Sequence, residues 1–248
     1  MYDDRKEYYD FIAENNFTLF SEPHNYGGYA EKVLNQELDW DDIAQTYEKE
    51  KVVVVDNFLR PDIAHRLRNY MLYLNVRQDT YRDYAAVNFY RQTNSLWFPL
   101  LTNIVDECKD KFSFLEGHEF IRAWSFIYDN ESEGVRPHAD PAAVNFNLWV
   151  TDNSSMIDAE GQNGLDVWKV YPPASWSWET YNRDDAAIAE FLSGQTSDKL
   201  SVAYKFNRVT IFNSKFFHKT QPVVTKAGYG NRRINYTFLF GEEQNAGY

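Results

Sequence analysis

Beyond about residue 119 the chain breaks into short segments rich in β-branched and aromatic residues: FIRAWSFIYD, AAVNFNLWVT, GLDVWKVY, LSVAYKF, RVTIFNS and RRINYTFLFG. Turn residues separate them. Short strands spaced in this way pack as an antiparallel sandwich or barrel, not as a parallel sheet with alternating crossover helices. One stretch interrupts the rhythm. Residues 172–199, PPASWSWETYNRDDAAIAEFLSGQTSDK, carry Trp176, Trp178 and a helical stretch beginning near Asp184. An insertion of that length inside a compact domain commonly forms a lid or a binding loop.

The first half reads differently. Residues 1–50 predict a helical extension packed on the main domain, with the helix over YAEKVLNQELDWDDIAQTYEKE. VVVVDNF, from Val52, is a short buried strand, and Pro61 stands at the first position of a helix along which Ile63, Leu67, Tyr70, Met71 and Leu74 recur. A second helix is expected after Ser95 as N-cap, with Leu101, Ile104, Val105, Cys108 and Phe112 on one face. Residues 1–248 thus read as one domain: the extension over 1–50, a strand and supporting helices over 51–118, and a β core over 119–248.

Charge and composition narrow the function. The 25 Lys and Arg against 37 Asp and Glu give a net charge of −12, and no Lys/Arg-rich run offers a groove for a phosphate backbone, so no nucleic-acid partner is expected. The single Cys108 forms no internal disulfide, MYDDRKEYYDF is not a signal peptide, and no window approaches about 18 consecutive apolar residues. A cytoplasmic enzyme without a membrane partner is the simplest expectation.

The chemistry gathers at three places. In RPHADPAAVNF, His138 and Asp140 are two residues apart, and on an extended strand such side chains share a face, where imidazole and carboxylate can hold one ion. Taken singly, the pair also fits a strand end with a solvated carboxylate. In RVTIFNSKFFHKTQPV, His218 follows an apolar strand; alone it fits a hydrogen-bonded histidine at a core edge, but as a third ligand it completes two histidines and a carboxylate with open positions opposite. In NRRINYTFLFG, Arg233, Asn235 and Thr237 alternate with Ile234, Tyr236 and Phe238, giving one polar strand face that bears a guanidinium. A planar guanidinium pairs with a carboxylate through two parallel hydrogen bonds. By the same parity Arg232 lies on the opposite face, exposed or paired to an acid.

The order VVVVDNFLRPDIAHRL, FIYDN…RPHAD, GLDVW, IFNSKFFH, RRINYTF resembles the iron(II)/2-oxoglutarate-dependent dioxygenases over about residues 52–241. Within them it looks most similar to a bacterial and phage group often fused to tetratricopeptide repeats, none of which is present here. The resemblance implies a mainly β fold with flanking α-helices, a cupin-like double-stranded β-helix or jelly roll. It implies His138, Asp140 and His218 as catalytic iron(II) ligands and Arg233 as the anchor of 2-oxoglutarate, with O2 as oxidant and succinate and CO2 as products. Asn235 stands where the family often has a serine touching the cosubstrate, and an amide can still donate a hydrogen bond there. Arg233 follows His218 by 233 − 218 = 15 positions, longer than is common in the family, and the turn-rich KAGYGN can absorb the excess. Halogenating relatives replace the carboxylate ligand with a small residue, so Asp140 favours hydroxylation or a related oxidation of a small-molecule or peptide substrate.

Tyr128 and Asn147 are further cosubstrate-binding candidates, each with an ordinary structural reading beside it: packing for the tyrosine, a strand bulge for the asparagine. Trp176 and Trp178 fit either a pocket wall or core closure. The rival to an oxygenase is a cupin-like binding module without oxidation, which has no need of a buried guanidinium; a jelly-roll enzyme independent of 2-oxoglutarate is a second.

Overall fold

In the computed structural model, which describes residues 4–14, 32–74, 77–91, 99–157, 162–195 and 198–241, the strand-like segments pair into antiparallel sheets. Strands are numbered along the chain. The large sheet holds β1 (Val52–Val55), β2 (Asp79–Thr80), β3 (Tyr84–Phe89), β4 (Phe120–Tyr128), β7 (Val144–Trp149), β10 (Val209–Asn213) and β13 (Ile234–Phe240), in the order β1-β10-β7-β13-β4-β3-β2. The small sheet holds β6 (Val135–His138), β8 (Leu165–Trp168), β9 (Lys199–Val202) and β11 (Phe217–Thr220), in the order β6-β11-β8-β9. A two-stranded ribbon of β5 (Glu131–Ser132) and β12 (Val223–Val224) stands beside them. Long-range antiparallel pairing between strands distant in sequence is the wiring of a jelly roll.

Alternation assigns the two faces of the large sheet. Val144, Phe146 and Leu148 of β7 and Ile234, Tyr236 and Phe238 of β13 enter the main core. There they meet Ile63 and Leu67 of α3 (Pro61–Tyr73) and Leu101 and Ile104 of α4 (Pro99–Lys111). The residues between them, Asn145, Asn147, Asn235 and Thr237, are equally buried but point toward the small sheet. Trp149 packs there with Leu165 and Val167 of β8. Buried amides and hydroxyls are costly unless paired or put to use, so this polar inner face marks where the fold keeps its chemistry.

Two helices belong to the first 50 residues, α1 (Asp4–Glu14) and α2 (Trp40–Glu50). α2 begins at Trp40, well inside the helical stretch expected from Tyr29, because Asp39 caps it by accepting from the Asp42 N–H at 3.0 Å; residues 29–31 of that stretch lie outside the described residues. Ahead of the cap, the buried Glu107 carboxylate accepts from the backbone N–H groups of Val33 and Leu34 at 2.7 and 3.1 Å, holding that segment in a non-helical path. α1 packs Tyr8 and Phe11 against Tyr229, with centroids 5.7 and 5.5 Å apart. α4 carries the predicted apolar face, while Ser95 lies outside the described residues. Among the described residues, no helix is long and apolar enough to cross a membrane.

The loop before α3 is clamped to the lead into β10 by one side chain. The buried Asn207 accepts from the Leu59 N–H at 3.0 Å and donates to the Leu59 carbonyl at 2.6 Å. Asn207→Ala leaves both buried backbone groups without partners, and the expected loss is about 2–4 kcal/mol of unfolding free energy. Urea unfolding followed by circular dichroism measures it; a loss below about 0.5 kcal/mol would mean that the clamp contributes nothing.

Candidate functional site

β6 ends at His138, whose register partner across the small sheet is His218 of β11. Their ring centroids lie 4.3 Å apart. Gly134, at φ 80°, precedes β6; a side chain there would collide with the backbone carbonyls of Thr220 and Gln221, so glycine permits the close approach of β6 to β11. Asp140 follows just past the strand, where its N–H donates to the Ser214 carbonyl at 3.0 Å.

Backbone carbonyls fix both rings. His138 Nδ1 bonds the Arg136 carbonyl at 2.8 Å and His218 Nδ1 bonds that of Phe216 at 3.0 Å. A carbonyl only accepts, so the proton sits on Nδ1 and the lone pair on Nε2, as in a metal-binding histidine. Those Nε2 atoms face Asp140, at 3.8 Å from Oδ1 for His138 and 3.5 Å from Oδ2 for His218. One ligand atom from each residue lies within 4.8 Å of the others. Two bonds of about 2.1 Å at right angles span about 3 Å, so the three need only a small movement toward a shared ion. Burial and the neighbouring His218 push the His138 imidazole down to about 4, leaving it neutral at pH 7. Burial opposes ionisation of Asp140, yet the adjacent His218 and His138 imidazoles hold the carboxyl below its usual range. Asn145 donates to Asp140 Oδ2 at 3.1 Å, a contact foreshadowed only by its sharing a strand face with Asn147.

The insertion folds as α5 (Trp178–Arg183) and α6 (Asp185–Ser193) against the small sheet. Ile188 and Leu192 pack with Ala139, Trp168 and Phe217, and Trp176 joins them. Trp178 instead lines the cleft in front of His138 and Asp140, so the two tryptophans divide the roles considered for them. The Tyr181 carbonyl accepts from the Ala139 N–H at 3.2 Å, and Asn182 donates to the Ala139 carbonyl at 2.9 Å. Ala139, between His138 and Asp140, is thus gripped at both backbone groups.

Deeper on the inner face lies Arg233, 0% exposed. Its guanidinium carbon stands 5.0, 5.5 and 5.6 Å from the ring centroids of Tyr128, Trp149 and Tyr204. Nη1 reaches Asn235 Oδ1 at 3.5 Å, while Nε and Nη2 have no hydrogen-bond partner, and among the described residues no carboxylate lies within 4.0 Å. Burial lowers the guanidinium from its ordinary value, a tendency opposed by Tyr128 and Tyr204. A buried cation with open donors is a socket shaped for an anion. Tyr128 Oη lies 3.3 Å from Thr220 Oγ1, and Thr220 shares a strand face with His218, so the socket and the triad adjoin along β11. Asn147 accepts from Trp149 Nε1 at 2.8 Å and so orients the indole beneath the guanidinium. Asn235 adds a 3.5 Å contact to Thr237. Tyr204 and Thr220 escaped the sequence reading, since neither carries a motif. Arg232 faces the other way as parity required, buried between Asp129 at 3.3 Å and Glu7 at 3.5 Å.

Two facing antiparallel sheets, with the triad at one end and the guanidinium inside, make up a jelly roll. Solved structures of non-heme iron and 2-oxoglutarate enzymes share the architecture. The carbocyclase SnoK of nogalamycin biosynthesis, described as non-heme and alpha-ketoglutarate dependent, superposes with a TM-score of 0.59 at 11% identity over 85% of this chain and 87% of its own. HygX from Streptomyces hygroscopicus, crystallised with nickel and 2-oxoglutarate, gives 0.56 at 9% identity over 82% and 87%. The epimerase SnoN, also of nogalamycin biosynthesis, gives 0.56 at 13% over 84% and 87%. At such identities the likeness establishes the fold. No protein-family model and no curated protein sequence matches the chain.

If Arg233 serves a ligand and not the fold, removing it is cheap. Arg233→Met is expected to change the unfolding free energy of chelator-treated protein by no more than about 1.5 kcal/mol, whereas breaking a structural buried ion pair costs about 3–5 kcal/mol. Denaturant unfolding separates the two.

Proposed function

We propose that the chain is an iron(II)- and 2-oxoglutarate-dependent oxygenase that oxidises, most simply hydroxylates, a small-molecule or peptide substrate. The observation that carries this reading is the Arg233 guanidinium, fully buried with two open nitrogens in the same barrel as a two-histidine, one-carboxylate triad. A metal-binding barrel without a dicarboxylate cosubstrate has no use for such a cation. The donor set also fits: two neutral imidazoles and one carboxylate on one side of an ion are the ligands that suit non-heme iron(II).

His138, Asp140 and His218 would hold the iron, and Arg233 the distal carboxylate of 2-oxoglutarate. Together with O2, the bound iron and cosubstrate supply a two-electron oxidation of the substrate while 2-oxoglutarate is converted to succinate and CO2. The protein's own part is positional. The Arg136 and Phe216 carbonyls keep both Nε2 lone pairs turned inward, and Asn145 steadies Asp140. Tyr128, Trp149 and Tyr204 exclude water from the guanidinium, which strengthens its pairing with a carboxylate. Tyr128 and Thr220 bring hydroxyls to the same socket, where the family's serine is replaced by Asn235.

Purified protein with iron(II), ascorbate, O2 and 2-oxoglutarate is expected to release succinate slowly even without a primary substrate. His138→Ala and Arg233→Ala should each lower that rate at least about tenfold, the scale of one lost charge-assisted interaction. Succinate unaffected by both variants, or protein that binds neither iron nor 2-oxoglutarate, would leave the binding-module reading instead.

A further inference from the structure

In front of the triad the inner face of the large sheet continues into a cleft of about 720 Å³, bounded by β2, β3 and β4 below, β6 at the metal end and α5 above. The volume suits a small molecule. Its floor is set by alternation. Tyr84 and Ala86 of β3 and Trp124 and Phe126 of β4 face the cleft, while Ala85, Val87, Phe89 and Ala123 turn to the helices. Register sets Ala86 beside Phe126, and a methyl group there leaves depth that a larger side chain would fill. Four rings run on from one another across this floor. Tyr81 stacks on Tyr84 with centroids 4.3 Å and planes 15° apart, Tyr84 meets Phe126 at 5.2 Å, and Phe126 meets Trp124 at 6.4 Å. Tyr81, 49% exposed, brings the series to the surface, and Trp178 of α5 forms the upper wall with Arg183.

The polar side chains of the cleft are already engaged with the protein. Asp79 accepts from the Asn88 amide at 2.9 Å, Asn182 donates to the Ala139 carbonyl at 2.9 Å, and Arg136 pairs with Asp185 at 2.9 Å. Arg122 donates to Tyr90 Oη at 3.3 Å, and Asp140 belongs to the triad. Arg183 lies 4.2 Å over the Trp178 ring and Arg122 lies 5.1 Å over that of Trp124, stacking that restrains both indoles. Three guanidiniums against two carboxylates also disfavour a cationic guest. A sugar carries hydroxyls around its rim, and a peptide brings an N–H and a C=O with every residue; burying these without partners is costly. Ring faces, with a few phenol hydroxyls at their edges, are what remains for a guest, and aromatic rings attract one another beyond the area they bury.

We infer that this cleft takes a small, uncharged molecule built on a planar aromatic ring system, held by its faces between Trp178 and the floor of Tyr84, Phe126 and Trp124, with one edge toward the metal end. What is done to the bound molecule rests on the oxygenase reading; its selection by the cleft does not.

The test uses calorimetry on the full chain with manganese(II) and excess 2-oxoglutarate, and compares 2-naphthalenemethanol with its saturated analogue, decahydro-2-naphthalenemethanol. The two share a skeleton and a hydroxyl. The saturated alcohol is the more hydrophobic, so burial alone favours it, whereas ring stacking favours the flat one. The flat alcohol is expected to bind at least about fivefold more tightly, as ring pairs on its two faces provide. Trp178→Ala and Trp124→Leu should each cut that preference to about twofold or less, while Trp178→Phe, which keeps a ring in place, should preserve most of it. Methyl β-glucoside and acetyl-Gly-Trp-Gly amide should both bind more weakly than the flat alcohol. A saturated alcohol that binds as tightly as the flat one, a sugar or peptide that matches it, binding of none of the probes, a preference that survives either ring deletion, or a loss in Trp178→Phe as large as in Trp178→Ala would overturn the inference. Manganese binding, read by electron paramagnetic resonance in the same samples, keeps the readings apart. Manganese held without planar preference defeats the cleft alone, and planar preference without manganese defeats the iron site alone.

Discussion

A cation sealed from water with no anion beside it is the interaction around which the inner face is arranged. Arg233 is surrounded by ring faces, which soften the loss of hydration but bring no anion to its N–H groups. The polar residues on the same face fall into line with it: Asn147 turns Trp149, Asn235 meets Nη1, and Thr220 reaches Tyr128. The apolar residues of the same strands face the helices, whose packing supplies the stability that lets the inner face remain unfinished. Division of labour between two faces of one sheet is what the period-two alternation of a strand makes possible.

The triad depends less on side chains than on backbone. His138 and His218 face each other because β6 and β11 pair in register, and Asp140 is placed by a hydrogen bond to Ser214 beyond β10. Carbonyls of the same strands choose the tautomers. Three side chains from two places in the sequence are therefore brought together by strand pairing.

Much of this was legible in the chain. The spacing of His138 and Asp140, the distant His218 and the parity of Arg232 and Arg233 follow from strand geometry, and each strand named beyond residue 119 has its counterpart in a sheet. What escaped was set by tertiary context. β3, YAAVNF, lacks a clean alternation, and its pairing with β4 creates the cleft floor. Asp39 and Glu107 decide where α2 begins, the second of them from far along the chain. Nothing in SWSWE distinguishes Trp176 from Trp178, since which indole enters the core depends on where α5 starts.

The grip of α5 on Ala139 ties two properties that would otherwise vary separately. Tyr181 and Asn182 hold the peptide between two of the triad residues, while their helix neighbours Trp178 and Arg183 form the upper wall of the cleft. The helix is thus a shared bracket. Exchanging the whole insertion for another sequence would shift the triad along with the wall, whereas changing outward positions on the existing helix would reshape the wall and leave the bracket in place. Shape and position are thereby separable on a single six-residue helix: one flank can be recut without moving the other, which holds Ala139.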